Sequence, residues 1–569
     1  MTERTAVLAL VVLGLSACKP DAVPVANERQ FAVPPLLDDL DPSAGRFEGV
    51  VTAAAATLDI TGDPVEFLAY NGSVPGPLVR VEVGDEVSIR FDNQLPDGEE
   101  WASGIHWHGI EGYNSSDGTP VTQVATMPGE SFTYEFTATR AGVFWYHPHV
   151  RGAQALFSGL YAPLIVVDPD EATLIERGNL PVDDRVVVLS DTWTAQGIVT
   201  SAEVDDPMEI MNGTEGRTLL VNGREDPVLE VVAGSAVRLR LVNSSITRFW
   251  RLAVPGRVLY RVGGQGGLLD HVRVEGGTVE GERFDVETGE VLGTATVDLG
   301  YERGEIVLAP GERADVVLVT DGEVGDEWPL TWKDFARGRH DMWMEGDEMV
   351  MGDAEDDGSR ESEEVARFRL VEGDSDGFAI AEGDPLLAAL GRQVGQVDAT
   401  GAVEWFGDAG TTLDEEMDHV ADEDGNMAMS VWFGMNGVDW HPDHMAGATQ
   451  DEAPSAKHAA LGDTLLWEVR NNSMMAHPYH LHGFSYQPYQ FVWWPDPEDE
   501  TSDGSAVRVT LDHDEFEDTT LLPAFASVYF RVDLADPAGD GSAAGRWVQH
   551  CHILQHGENG MMSEVVVEW

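Results

Sequence analysis

Residues 70–93 read YNGSVPGPLVRVEVGDEVSIRFDN, and the same plan returns twice further along the chain. Residues 221–243 read VNGREDPVLEVVAGSAVRLRLVN; residues 435–438 read MNGV, with LGDTLLWEVRN following at 461–471. Each copy has an Asn-Gly turn, then a Gly followed by a polar residue, then a strand ending in Asn. Gly84 to Asn93, Gly234 to Asn243 and Gly462 to Asn471 all share one spacing. Between these landmarks apolar residues alternate, as in Val81, Val83, Val87, Ile89 and Phe91, which is the period of a half-buried strand. Gly and Pro punctuate the chain and helical periodicity is scarce. The expectation is an all-β protein of three repeated β-sandwich domains, at residues 46–170, 180–372 and 430–569. Residues 373–429 read as an acidic, Met-containing connector. The third copy carries an insertion holding His441, His444, Met445 and His458.

Composition bounds the rest. The 569 residues include 101 acidic and 34 basic side chains, a formal charge of −67, and only three lysines, Lys19, Lys333 and Lys457. Nucleic acid is excluded as a partner, since phosphate binding needs clustered Lys and Arg. A salt-adapted or strongly acidic exported surface accounts for the charge, and such a surface also gathers cations. At the N-terminus, Arg4 precedes the apolar run Ala6 to Leu15, which is too short to span a bilayer and has the pattern of a secretory signal. It ends in Leu15-Ser16-Ala17-Cys18, which resembles the lipobox of bacterial lipoproteins. That resemblance implies a signal peptide over 1–18, a lipid on Cys18, a flexible tether over 19–45 and a periplasmic or cell-surface protein anchored to a bacterial membrane. Of the two cysteines, Cys551 is then the only free thiol.

Ten of the seventeen histidines fall in four tight clusters. They are His106-Trp107-His108, His147-Pro148-His149, His477-Pro478-Tyr479-His480-Leu481-His482, and His550-Cys551-His552 with His556. Alternate residues of a strand share a face, so His106 pairs with His108, His147 with His149, and His480 with His482. In the last cluster His550 and His552 share one face and Cys551 takes the other. One strand thereby serves two metal sites, with Cys551 joined through the backbone to ligands of the second. Imidazole suits copper, zinc and iron, and two His with one Cys and a weak axial Met mark a blue-copper site. Met561 stands shortly after His556, available for the axial place.

These motifs resemble those of the multicopper oxidases in their three-domain laccase-like form, over roughly residues 47–569. The resemblance implies three cupredoxin-like Greek-key domains and four copper ions: one type 1, one type 2 and two type 3. It puts the type 1 copper on His477, Cys551 and His556 with Met561 axial, and the type 2 copper on His106 and His480. The type 3 pair falls to His108, His147, His149, His482, His550 and His552, between the first and third domains, with the second domain a spacer. Electrons from a reducing substrate would pass from Cys551 to His550 and His552 and reduce dioxygen to water. That reaction consumes protons, and Asp117 matches the family's acid beside the type 2 copper. Many bacterial members carry Glu directly after the second type 1 His; here Gly557 stands there, and Glu558 follows it.

Methionine placement speaks to the reductant. Nine of seventeen Met lie between residues 342 and 445. Met342, Met344, Met349 and Met351 are interleaved with acids, and Met417, Met427, Met429, Met435 and Met445 follow, with Asp418 and His419 among them. Thioethers select Cu(I), while carboxylates suit harder cations. These acidic segments read as surface loops, with Met435 in a strand. They resemble the Met clusters of the copper-resistance branch, which implies Cu(I) oxidation with Met342, Met344, Met349 and Met351 binding substrate. The alternatives are a laccase acting on phenols or aromatic amines, an Mn(II) or Fe(II) oxidase, and a copper-free scaffold.

Overall fold

The computed structural model describes residues 29–60, 64–193, 197–199, 207–338, 342–345, 348–351, 360–405, 411–421, 427–440, 452–495 and 503–569. Cys18, His441, His444 and Met445 lie outside them. Strands dominate and cupredoxin-like sandwiches repeat three times. The first packs the sheet of strands Pro64–Tyr70, Arg46–Asp59, Glu86–Gln94 and Ser131–Thr137 on that of Val79–Glu82, Ala162–Val167, Gly142–His147 and His106–His108. Its core holds Phe91, Trp107, Tyr134 and Tyr146. The second sandwich faces a six-stranded sheet with a five-stranded one around Trp250, Trp332 and Phe368. The third closes a five-stranded sheet, including His477–Leu481 and Gly545–Cys551, over a nine-stranded one. Trp467, Phe530 and Trp547 fill the gap between them.

The repeated Asn residues have repeated jobs. Asn71, Asn222 and Asn436 take φ of 49°, 49° and 57° and the glycines after them 76°, 68° and 71°, the left-handed pair that a tight two-residue turn requires. In each copy the Asn Oδ1 accepts a backbone N–H: from Thr52 at 2.7 Å, Val188 at 2.6 Å and Thr412 at 2.9 Å. The strand-ending Asn93, Asn243 and Asn471 are buried, and each accepts the N–H two residues on, at 3.0, 2.9 and 2.9 Å. Their Nδ2 groups donate to carbonyls of the following loop, Trp101, Arg248 and Met475. In the first and third copies those loops deliver His106 and His477.

Two expectations change here. The described Met-rich segments are strands, not loops. Met342–Glu345 and Glu348–Met351 form a two-stranded hairpin, and Thr411–Ala421 pairs with Met427–Met435. The second hairpin also pairs with Thr464–Asn471, so part of the expected connector belongs to the third sandwich's sheet. Among the described residues no helix is long and apolar enough to cross a membrane.

The acidic surface carries a stability consequence. Acid outnumbers base about threefold, and repulsion among exposed carboxylates acts over a Debye length of about 10 Å at 0.1 M salt and about 3 Å at 1 M. Ion pairs such as Arg238–Asp315 and Arg240–Glu171 are buried and escape that screening. Raising sodium chloride from about 0.1 M to about 2 M is therefore expected to raise the thermal midpoint by more than about 5 °C. A midpoint that fell with salt would show that exposed pairs, not repulsion, dominate.

Candidate metal centre

The chain brings ten histidines and Cys551 into two adjoining buried sites. Strand His106–His108 pairs with Gly142–His147, setting His106 opposite His147, and His477–Leu481 pairs with Gly545–Cys551, setting His480 opposite His550. The first and third sandwiches then meet ring on ring. His106 stacks on His482 with centroids 3.9 Å apart, and His108 on His480 at 3.8 Å. His149 and His482 bring Nε2 to within 3.3 and 3.1 Å of His550 Nε2. His552 lies beside His108, with ring centroids 4.9 Å apart. Three triplets, His106–His108–His147, His106–His480–His482 and His149–His482–His550, each gather ring nitrogens within 4.8 Å of one another.

The hydrogen bonds decide which nitrogen faces the cluster. A carbonyl or carboxylate only accepts, so a ring nitrogen bonded to one carries the proton and leaves the other as a lone pair. His106 Nδ1 donates to Asp117 O at 2.8 Å, His147 Nδ1 to Pro148 O at 3.0 Å and His480 Nδ1 to Asp518 O at 2.8 Å. Their Nε2 atoms are buried and have no hydrogen-bond partner among the described residues. His108 is reversed: Nε2 donates to Asp518 Oδ1 at 2.9 Å and Nδ1 is the orphan. His552 is buried, and neither of its ring nitrogens has a hydrogen-bond partner among the described residues. Burial pushes the pKa of His108, His147, His149, His480, His482 and His552 well below the usual value, and that of His550 to about 4. Neutral lone pairs converging in a dry pocket are costly to leave unmet, and they are the donors copper takes. The residues fit a copper cluster.

The second site lies on the other face of the same strand. Cys551 Sγ stands 3.4 Å from His477 Nδ1 and 3.8 Å from His556 Nδ1, and the two Nδ1 atoms are 3.2 Å apart. His556 Nε2 donates to Met211 O at 3.1 Å, which frees its Nδ1. Burial raises the Cys551 thiol far above its ordinary pKa, so a metal is what would draw the thiolate out. The Met561 carbonyl accepts the Cys551 N–H at 3.0 Å and the Met561 N–H donates to His556 O at 2.9 Å, holding that residue beside both ligands. His550 Nδ1 donates to Cys551 O at 2.8 Å, a second link between the sites beyond the covalent one.

The Asp117 carboxylate accepts from His482 Nδ1 at 3.0 and 3.2 Å and from Thr119 Oγ1 at 2.9 Å. Glu558 accepts the Ala153 N–H at 3.1 Å, tying the Leu554–Glu558 turn to the Gly152–Phe157 helix. Met342 and Met344 stand opposite Met351 and Met349, and His419 opposite Met429.

Three residues of the sites were not visible in the sequence reading. Asp518 serves His108 and His480. Arg313 of the second sandwich grips Asp518 with Nη1 at 2.6 Å and with Nη2 on the other oxygen. Glu415 is the third: its side chain is 3% exposed, Oε2 lies 3.6 Å from His477 Nε2, and neither oxygen has a hydrogen-bond partner among the described residues. The second sandwich is thus more than a spacer. Its Gly311, at φ +84°, lies so close that a Cβ would stand 2.9 Å from the His552 ring.

Residues 52–171 and 424–568 each match a domain of the multicopper oxidase family. Laccase-2 of Cryptococcus neoformans var. grubii is 26% identical, over 89% of this chain and 82% of that one. Copper resistance protein A of Escherichia coli is 25% identical over 93% and 94%. The multicopper oxidase MmcO of Mycobacterium tuberculosis is 33% identical over 38% of this chain and 46% of its own. A multicopper oxidase from Campylobacter jejuni, described as a metallo-oxidase, shares the fold with a TM-score of 0.67 at 21% identity, over 95% and 96% of the two chains. The chain belongs to the multicopper oxidase family. It is an oxidoreductase with dioxygen as electron acceptor and type 1, 2 and 3 coppers as cofactors.

Proposed function

We propose that this oxidase draws its electrons from a small cation, Cu(I) foremost, and that it serves copper tolerance. His477, Cys551 and His556 with Met561 would hold the type 1 copper, and His106 and His480 the type 2. His108, His147, His149, His482, His550 and His552 would hold the type 3 pair. When bound, copper supplies the one-electron chemistry between reductant and dioxygen. The chain supplies placement, a covalent bridge through Cys551 and its neighbours, and a carboxyl at Asp117 to pass protons.

The observation that carries a cationic substrate is Glu415. A carboxylate buried without a hydrogen-bond donor is costly, and one poised on the His477 edge is a place for a cation to dock. Access points the same way. His477 and His556 are fully buried; Ser473 Oγ bonds His477 Nε2 at 2.8 Å, and Phe433 stacks on His556 with centroids 4.3 Å apart. A phenol ring has no exposed imidazole edge to touch. Above Glu415 on the same strand, at steps of two, stand Met417 and His419, with Met427 and Met429 on the partner strand; soft donors at that register suit Cu(I). The paired Met342, Met344, Met349 and Met351 suit the same ion. The Leu15-Ser16-Ala17-Cys18 run supports export and a lipid anchor at Cys18, which would put the enzyme on a bacterial membrane where copper arrives from outside.

Oxygen uptake with Cu(I) and with a phenol tests this. Glu415→Gln is expected to cut Cu(I) turnover at least about tenfold, roughly 1.4 kcal/mol, and the fourfold change of Met342, Met344, Met349 and Met351 to Leu is expected to raise the KM for Cu(I). Fast phenol turnover, with Cu(I) oxidation untouched by either variant, would sink the cuprous reading and leave a laccase.

A further inference from the structure

The cluster is clasped by two aspartates in crossed fashion. Asp117, from the first sandwich, offers its carbonyl to His106 of that sandwich and its carboxylate to His482 of the third. Asp518, from the third, offers its carbonyl to His480 of that sandwich and its carboxylate to His108 of the first. Each aspartate therefore locks one ring at home and one across the interface, and the paired rings are the ones that stack. The surroundings break this symmetry. Asp117 meets a hydroxyl, and no Arg or Lys pairs with it among the described residues. Asp518 is 1% exposed and also meets a hydroxyl, that of Thr519 at 2.8 Å, but it is held in addition from the second sandwich. Arg313, itself fully buried, takes both carboxylate oxygens and also donates to Val143 O at 2.8 Å and Gly311 O at 3.0 Å. Gln265 Oε1 accepts from the backbone N–H groups of Asp518 and Thr519, each at 3.0 Å, and its Nε2 donates to Thr519 O at 2.8 Å. Thr519 Oγ1 lies 2.9 Å from His108 Nε2 and 3.1 Å from His480 Nδ1.

We infer that Asp518 is a positioning residue, fixed by Arg313 and Gln265, that makes His108 present Nδ1 to the trinuclear copper site while its neighbours present Nε2. Among the described residues the second sandwich supplies no ligand to the two buried histidine sites, yet through this clasp it decides how one ligand is turned. Asp518 accepts on both sides, from Arg313 and from His108. An amide in its place has only one oxygen, so its NH₂ must face a donor on one side or the other. Partners behind a metal-binding His typically govern affinity by about 10–100-fold.

This rests on the copper ligation proposed above, and the experiment separates the two. Asp518→Asn and, as a milder variant in case that one fails to fold, Arg313→Lys are titrated with copper. Occupancy at each site is read from anomalous scattering, and the visible absorption of the Cys551 site serves as the internal control. The expected result is copper held about 10–100-fold more weakly at the His108 site, with the Cys551 absorption unchanged. Wild-type copper affinity at the His108 site in both variants would overturn the clasp. So would loss of copper in equal measure from both sites, because that is the signature of a general packing defect. Absence of copper from either site in the unmodified protein would instead defeat the ligation proposal on which the clasp rests.

Discussion

Replacing Cys551 by serine is expected to abolish the visible absorption of the copper-loaded protein and its dioxygen consumption together, with turnover falling by at least about a thousandfold, or ~4 kcal/mol. The argument is geometric and chemical. Sγ converges with the Nδ1 atoms of His477 and His556, at 3.4 and 3.8 Å. A thiolate is a soft anionic donor and the source of blue-copper character; a buried serine hydroxyl does not ionise to replace it. The fold has little reason to notice the change. The backbone bonds of residue 551, to Met561 O and from His550 Nδ1, do not involve the side chain, and oxygen for sulfur leaves only a small void. The two ring nitrogens would still face the site, so some copper binding without colour is expected. Absorption and circular dichroism measured together check this: colour surviving in Cys551→Ser would place the chromophore elsewhere, and a colourless copper-loaded parent would remove the type 1 assignment.

What the sequence disclosed and what it hid divide along a physical line. Period-two spacing on strands is local, so His106 with His108, and Cys551 between His550 and His552, could be read directly. The Asn-Gly turns carried the threefold repeat for the same reason, since a left-handed pair demands those residues wherever it occurs. Glu415 and Asp518 were invisible because each sits in an acidic run, Asp414-Glu415-Glu416 and Glu515-Phe516-Glu517-Asp518. In a chain this acidic, nothing local separates the one carboxylate that turns inward. Arg313 was hidden by distance: its partner lies 205 positions away. The hairpins taken for loops were masked by acids of low strand propensity. A signal existed, because Met342 to Met351 alternates around Gly346-Asp347, a dipeptide that favours two-residue turns.

Asp117→Asn is expected to leave the Cys551 absorption and the copper content intact while lowering turnover by about 10²–10⁴-fold, the usual worth of a positioned acid. Reduction of dioxygen to water consumes protons at this buried cluster, so a carboxyl that can pass them must stand against it. Among the described residues, Asp117 and Asp518 are the acids that touch the cluster histidines. Asp518 is clamped by Arg313 on both oxygens, a bidentate grip that leaves neither oxygen unengaged. Asp117 has no such clamp: Oδ1 and Oδ2 face His482, and Oδ2 also meets the Thr119 hydroxyl, which can donate or accept as the proton comes and goes. Asparagine can keep the bond to His482 through its oxygen and turn its NH₂ toward Thr119, so the shape survives and the proton is lost. That fit is what an amide lacks at Asp518, and it makes the two substitutions diagnostic of different roles: copper affinity should fall at one and turnover at the other. Glu558→Gln is the companion measurement, since the amide oxygen can still accept from Ala153. Near-normal turnover in Asp117→Asn together with a large loss in Glu558→Gln would move the proton to Glu558, and with it the job that the missing carboxylate at Gly557 leaves open.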